Sequence, residues 1–201
     1  MGLSAAKYFP SDFELPAQVG IFNDRIDLST PGQNPYTFVI RNKDIAQGFK
    51  EYFEYFWNQD VIVDVGVKAF ERVFLNMLDE LSPGEEYRVI GTASTITTMV
   101  KFYDNFHNIR IKKGIILKML THERFYQTVV DRNHRFGDPS GKVSFVKRMF
   151  SGAQSPIQIN VYHNKCFIVI DAKEPTMISI NKPEVAEGFK NYFDEMWKNA
   201  K

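Results

Sequence analysis

The sequence predicts an α/β fold, a mixed β-sheet flanked by helices, with part of its architecture written twice. Three observations carry that prediction. Between residues 61 and 150 the periodicity alternates helix, strand, helix, strand, helix, strand, the pattern of a partly parallel sheet covered by helices. Residues 15–60 and 155–200 align without a gap at an offset of 140. The identities are Pro16/Pro156, Gln18/Gln158, Pro35/Pro175, Ile40/Ile180, Ala46/Ala186, Gly48/Gly188, Phe49/Phe189, Lys50/Lys190, Tyr52/Tyr192, Phe53/Phe193 and Trp57/Trp197. Finally, 18 Phe and 9 Tyr raise the aromatic content to 14%, which suggests a core of large flat side chains.

Each element has a local reason. Val19 to Leu28 is β-rich and carries Asn23-Asp24-Arg25, a hairpin turn. Residues 30–35 are turn chemistry, and Tyr36 to Ile40 is a strand. Asn42 caps a helix from Asp44 to Trp57, with Ile45, Phe49, Phe53 and Phe56 on its buried face. Val61 to Val65 reads equally as strand or helix lead-in. Phe70, Val73, Phe74, Met77, Leu78 and Leu81 mark an amphipathic helix that Ser82-Pro83-Gly84 ends. Tyr87 to Ile90 is a buried strand, followed by a helix that Thr92 to Thr95 lead and that ends near Phe106. Gly114 to Met119 is a buried strand. Thr121 caps a helix from His122 to Val130, residues 133–142 form a polar loop, and Val143 to Phe150 is a strand. Strands near 157–162, 166–170 and 177–180 precede a helix from Pro183 to Trp197, Pro183 suiting a first helical position. Val185, Phe189, Phe193 and Met196 mark that helix's buried face.

A repeat of this period is too long for a solenoid and implies two related lobes. Residues 61–201 read as a complete lobe and residues 1–60 as the back half of another. A site between related lobes is the first place to look for function.

Composition excludes several classes. The formal net charge of +1 gives no global field toward DNA or an acidic membrane, so no nucleic-acid partner is evident from this chain. A single cysteine, Cys166, forms no intramolecular disulfide and fits a reducing, cytoplasmic interior. Four scattered histidines suggest no metal site and no cofactor. No apolar run reaches the roughly 20 residues that span a bilayer, and residues 1–7 carry no signal-peptide pattern. Gly137 to Val143 is no P-loop, since its first spacing is short and Val143 replaces Ser or Thr. Arg110, Lys112 and Lys113 read as a solvated helix end whose cations complement the dipole.

Chemistry is concentrated in His163, Lys165 and Asp171, followed by Ser179 and Asn181. This stretch resembles the phospholipase D motif, H-x-K-x4-D with a later Ser/Asn pair. The resemblance implies a histidine nucleophile, a lysine that neutralises phosphate oxygens and a carboxylate that orients a histidine. Here the carboxylate comes one residue late, because position 170 is Ile. In a strand, one extra residue turns every later side chain to the other face unless a bulge absorbs it. The superfamily needs two such motifs, and in the first copy Asn23 and Arg25 stand where the second has His163 and Lys165. A single chain therefore holds half of the catalytic set, and a homodimer would be needed to pair two copies of His163.

Gly66 to Phe70, Leu81 to Gly91, Phe106 to Ile115 and Ala186 to Trp197 further resemble the phospholipase D-like effector domain of TrmB-type archaeal transcriptional regulators. That resemblance implies a non-catalytic, ligand-sensing or regulatory domain without its winged helix-turn-helix. Its ligand would be a small or phosphate-containing molecule contacting His163, Lys165, Asp171, Ser179, Asn181, Asn23 and Arg25. The alternative is a phosphodiesterase or nuclease active as a homodimer through His163 and Lys165, with Asp171 as the third catalytic group.

Overall fold

The structure, a computed structural model, describes residues 17–30, 32–93, 95–149 and 157–201. Residues 1–16, 31, 94 and 150–156 lie outside them, and with them the expected turn position Pro31, the expected helix lead at Ser94 and the expected strand end at Phe150. The chain divides into two compact units, one ending at Gln59 and the other spanning Asp60–Lys201.

In the first unit β1 (Gln18–Ile21), β2 (Arg25–Thr30) and β3 (Tyr36–Arg41) form an antiparallel sheet, followed by α1 (Lys43–Trp57). Asn42 caps α1 as expected: its Oδ1 accepts the backbone N–H of Asp44 and of Ile45, both at 3.0 Å. The expected buried face of α1 is only partly realised. Ala46 and Ile26 are buried, but Ile45, Phe53 and Phe56 are 41%, 49% and 47% exposed. A three-stranded sheet of four to six residues per strand offers too little area to cover a four-turn helix.

The second unit is a seven-stranded sheet in the order β4-β10-β9-β8-β5-β6-β7. Its strands are β4 (Val61–Val65), β5 (Glu86–Ile90), β6 (Ile116–Thr121), β7 (Ser144–Arg148), β8 (Ile157–Tyr162), β9 (Lys165–Ile170) and β10 (Thr176–Ile180). β5, β6 and β7 run parallel and the other pairings are antiparallel. The helices are α2 (Val67–Glu80), α3 (Thr95–Thr98), α4 (Val100–Lys113), α5 (Glu123–Arg135) and α6 (Pro183–Asn199). The ambiguous stretch at 61–65 is thus a strand, at the sheet edge.

The main core lies under α2 and α4. Phe74 meets Phe167 at 5.0 Å and Phe106 at 5.4 Å between ring centroids, both edge-on. Each such ring contributes roughly 1.5–3 kcal/mol by burial, and aromatic pairing adds about 0.5–1.5. The other side of the sheet carries α6, where Phe193 is fully buried against Ile90 and Leu120. Gly114 ends α4 in a left-handed conformation (φ 72°), so that helix runs seven residues past Phe106.

Three expectations for polar residues change. Arg110 is no solvated helix end. It is fully buried, and its guanidinium donates to the carbonyls of Ile115 (2.8 Å) and Val143 (2.9 Å), to Asn133 Oδ1 (3.0 Å) and to Ser144 Oγ (2.6 Å). α5 likewise extends through Arg135, so the expected polar loop begins later. Arg132 and Asn133 sit inside because they face α4 partners, Arg132 donating to Asp104 Oδ1 at 2.9 Å. Thr121 is the last residue of β6 rather than a cap, and its Oγ1 lies 2.6 Å from that of Thr92.

Pairing registers recur at the offset seen in the sequence. Gln18 faces Ser29 as Gln158 faces Val169, and Ile26 faces Ile40 as Cys166 faces Ile180. Phe53 stacks on Trp57 at 5.3 Å as Phe193 does on Trp197 at 5.2 Å.

Candidate functional site

His163 and Asn164 form the two-residue loop joining β8 to β9, with Tyr162 paired to Lys165. His163 is the single non-glycine residue with positive φ (43°) among the described residues. A two-residue hairpin loop with positive φ at its first position favours glycine there. Its Nε2 lies 3.1 Å from Glu85 Oε2. Glu85 also accepts the backbone N–H of Ser82 at 2.7 Å. That bond, with the His163 contact second, holds the Glu85 carboxyl below its ordinary pKa. His163 borders an open cleft of about 340 Å³, with Tyr162, Arg88, Lys190 and Glu86 around it. Arg88 is tied to Glu86 at 2.9 Å and to Asp194 at 2.8 Å.

Lys165 opens β9 and donates to both carboxylate oxygens of Glu80, at 2.8 and 2.7 Å. Ser179 faces Phe167 across β10 and β9, on the side that Lys165 also occupies. Continuing that register by one step sets Asn181 opposite Lys165. The structure therefore brings Lys165, Ser179 and Asn181 to one end of one sheet face. It does not bring Asp171 to them. Asp171 follows β9 at its other end, six residues on, about 20 Å at strand rise. There its charge acts on Tyr103, whose hydroxyl pKa is pushed up chiefly by burial.

Asn23 and Arg25 belong to the first unit. Asn23 borders a groove of about 420 Å³ between the β1–β2 hairpin and α1. Arg25 pairs with Asp27 at 3.3 Å and lies over the Phe22 ring at 4.4 Å.

Sequence reading passed over a buried polar group at the carboxyl ends of β5 and β6, where open α/β sheets place their binding crevices. Gln158 and Asn160 are two apart on one face of β8, both buried. Gln158 Nε2 donates to Asn160 Oδ1 at 3.0 Å, and Gln158 Oε1 accepts the N–H of Ala93 at 3.4 Å. Tyr103, His107, Gln158 and Asn160 border an internal cavity of about 20 Å³, room for one water. Burial, with Arg110 and Arg132 adding to it, holds the His107 pKa well below its ordinary value. One signal was available: Gln158-x-Asn160 keeps the two-residue spacing of H-x-K within a single strand. His163-x-Lys165 does not, because His163 is in the turn. Amides and a neutral histidine can hydrogen-bond a ligand, but an amide cannot attack phosphorus.

Among the described residues, no group of His, Cys, Asp and Glu could hold a metal ion, and no helix is long and apolar enough to cross a membrane. Cys166 is buried, and burial raises its thiol pKa to about 11.

No family model matches the sequence, and no curated protein matches it. Solved structures do. TrmBL2, an archaeal chromatin protein whose structure shows a novel mode of DNA binding, aligns with a TM-score of 0.51 at 15% identity, over 79% of this chain and 64% of that one. The fold is a mixed α/β fold that resembles that of the TrmBL2 chain. This chain spans 64% of the TrmBL2 chain, less than two thirds. Looser alignments reach two further chains. One is Nuc of Salmonella typhimurium, a phospholipase D family member (TM-score 0.46, 16% identity, 70% of this chain and 97% of that one). The other is NucT of Helicobacter pylori (0.44, 11%, 70% and 96%).

Proposed function

We propose that this chain is a non-catalytic regulatory or ligand-sensing domain of phospholipase D-like fold. One observation carries the reading. Of the residues that would attack and neutralise a phosphodiester, His163 stands in the hairpin turn and Lys165 opens the next strand, and both are held by carboxylates, His163 by Glu85 and Lys165 by Glu80. Asp171, the third member, stands at the opposite strand end. The polar pair with the right spacing on one strand, Gln158 and Asn160, offers no nucleophile.

The ligand contact in this reading is the cleft beside His163. Its volume is within the range of small-molecule pockets, roughly 300–1,000 Å³, and its walls carry both charge signs. A residue held in a left-handed conformation at a cleft is a common mark of a functional position. The recurring register supports a duplicated ancestry, with 61–201 as the whole lobe and 1–60 as a retained back half. TrmBL2 binds DNA, so the expectation of no nucleic-acid partner has no support, and a role beside DNA fits a regulatory domain.

Two measurements test the reading. Incubation with bis-p-nitrophenyl phosphate and with single-stranded DNA is expected to give no hydrolysis. Turnover that disappears in His163→Ala would overturn the non-catalytic assignment. In a thermal-shift screen of sugars, nucleotides and inorganic phosphate, a stabilising compound is expected to lose its effect in His163→Ala. An unchanged shift would remove the cleft as its site.

A further inference from the structure

The first unit repeats the β8–β10 and α6 arrangement, but among the described residues it lacks the strands that flank that arrangement, β5 beside β8 and β4 beside β10. In the second unit the free side of β8 is paired by β5, and Phe193 of α6 is buried beneath Ile90 of β5 and Leu120 of β6. In the first unit β1 pairs with β2 alone among the described residues, and Phe53, the counterpart of Phe193, is 49% exposed. The groove bordered by Val19, Ile21, Ala46 and Phe53 lies where β5 would run.

The opposite sheet face shows which kind of cover is absent. Phe167, Val169 and Met177 are buried in the core under α2 and α4. Their counterparts are Asp27, Ser29 and Thr37, with Ser29 and Thr37 joined by a 3.0 Å hydrogen bond. That face is polar and calls for no helices such as α2 and α4. Burial is kept only on the α1 side, where Ile26 and Ala46 match Cys166 and Ala186. Among the described residues the unit lacks strands beside β1 and beside β3, and the groove against α1 lies on the β1 side.

Charge singles out the β1 edge. Exposed edge strands are normally protected by charges or proline. The other sheet edges carry Arg41 (β3), Asp64 (β4), and Lys147 and Arg148 (β7). β1, Gln-Val-Gly-Ile, carries neither charge nor proline.

We propose that β1 and the Phe53 side of α1 form an interface with a second copy of this chain. The two β1 strands pair antiparallel, as β8 pairs with β5, and this is the arrangement a two-fold axis imposes on a strand that meets itself. A copy supplies two successive strands, β1 and β2, where β8 has β5 and β6. The joined sheet runs β3-β2-β1-β1-β2-β3, and the two Phe53 side chains cover one another over the seam. An uncharged strand opposes its own copy without repulsion.

Sedimentation velocity of the full chain over a concentration series tests this. The expected species has twice the 23.3 kDa chain mass. Phe53→Glu and Val19→Lys, which place like charges across the seam, are expected to weaken association at least about tenfold. Tyr36→Ser on β3, the other edge of the sheet, is expected to leave it unchanged. Circular dichroism establishes that each variant is folded, and amide exchange in β1 is expected to slow with concentration in the wild-type chain. A monomer at every concentration overturns the proposal. So does a dimer that survives both charge substitutions or is lost with Tyr36→Ser. Concentration-independent protection of β1 would assign the edge to cover from its own chain, and would also overturn it.

Discussion

The Lys165 ammonium lies within 2.8 Å of both carboxylate oxygens of Glu80, the geometry of a satisfied ion pair rather than of a cation awaiting phosphate. Both side chains are more than a third exposed, so the pair is screened and stabilises by at most about 1 kcal/mol. Glu80→Gln is therefore expected to shift chemical-denaturation stability by less than about 1 kcal/mol while leaving phosphodiesterase activity absent. Activity appearing in Glu80→Gln would mean that the carboxylate was masking a competent lysine.

His163 holds a conformation that costs a non-glycine residue about 1–2 kcal/mol. Its contact with Glu85 is open to solvent on both sides and is screened. His163→Gly is thus expected to leave stability unchanged or raise it by up to about 1 kcal/mol in urea unfolding. A loss beyond that would show the Glu85 contact outweighing the backbone cost.

Gly91 ends β5 with φ 80°, and a Cβ there would stand 2.6 Å from the Ile157 carbonyl oxygen. Backbone on that side cannot move without breaking the β5–β8 pairing. Gly91→Ala is expected to cost about 2–4 kcal/mol, read from the denaturation midpoint. A loss under 1 kcal/mol would mean that the β8 entry is pliant.

Arg110 ties α4 to β6, α5 and β7 through the acceptors it satisfies. Arg110→Met keeps the apolar stem but removes the donor to the Ile115 carbonyl and the Asn133 side chain, while the Val143 carbonyl keeps the Leu117 N–H at 2.8 Å. The expected loss is about 3–5 kcal/mol, because one partner of a buried polar network has been removed. A neutral outcome would mean that water replaces the guanidinium.

His107 is held neutral by burial, with its folded pKa well below the ordinary value. Between the two pKa values the unfolded chain binds the extra proton, so stability rises with pH there and falls as pH drops below about 6.5. The contribution is complete above about pH 6.5 and changes by no more than about 1.4 kcal/mol per pH unit below it. His107→Gln is expected to flatten that part of the stability profile between pH 7 and about 5. An unaltered slope would assign the acid sensitivity to other groups.

Much of the architecture was legible because local rules set it. The Asn42 cap, Pro183 at the start of α6 and the α2 stripe of Phe70, Phe74, Met77 and Leu78 each express spacing or capping chemistry within a few residues. Arg110 was read as solvated because charge patterning assumes water on the polar side of a helix, and Arg132 carried no reading because the expected helix ended at Val130. Their acceptors come from strands and helices remote in sequence. The α1 face was read as buried because periodicity reports which residues share a side, not whether a surface exists to cover them.

The candidate site followed the same division. His163, Lys165, Ser179 and Asn181 were visible as residue types at a familiar spacing. Only the hairpin register showed that His163 stands in the turn and that Asp171 is a strand length away. Gln158 and Asn160 were overlooked because amides carry no motif of their own.

By itself the sequence determined the fold class, the 140-residue correspondence between its two ends and most of the element order, except the state of 61–65 and the break between α3 and α4. These depend on periodicity and local propensity, which act over one or two turns. Tertiary structure decided which cations are neutralised and which polar groups meet in the interior. Those depend on register and on pairs far apart along the chain, such as Lys165 with Glu80, and local pattern does not encode them.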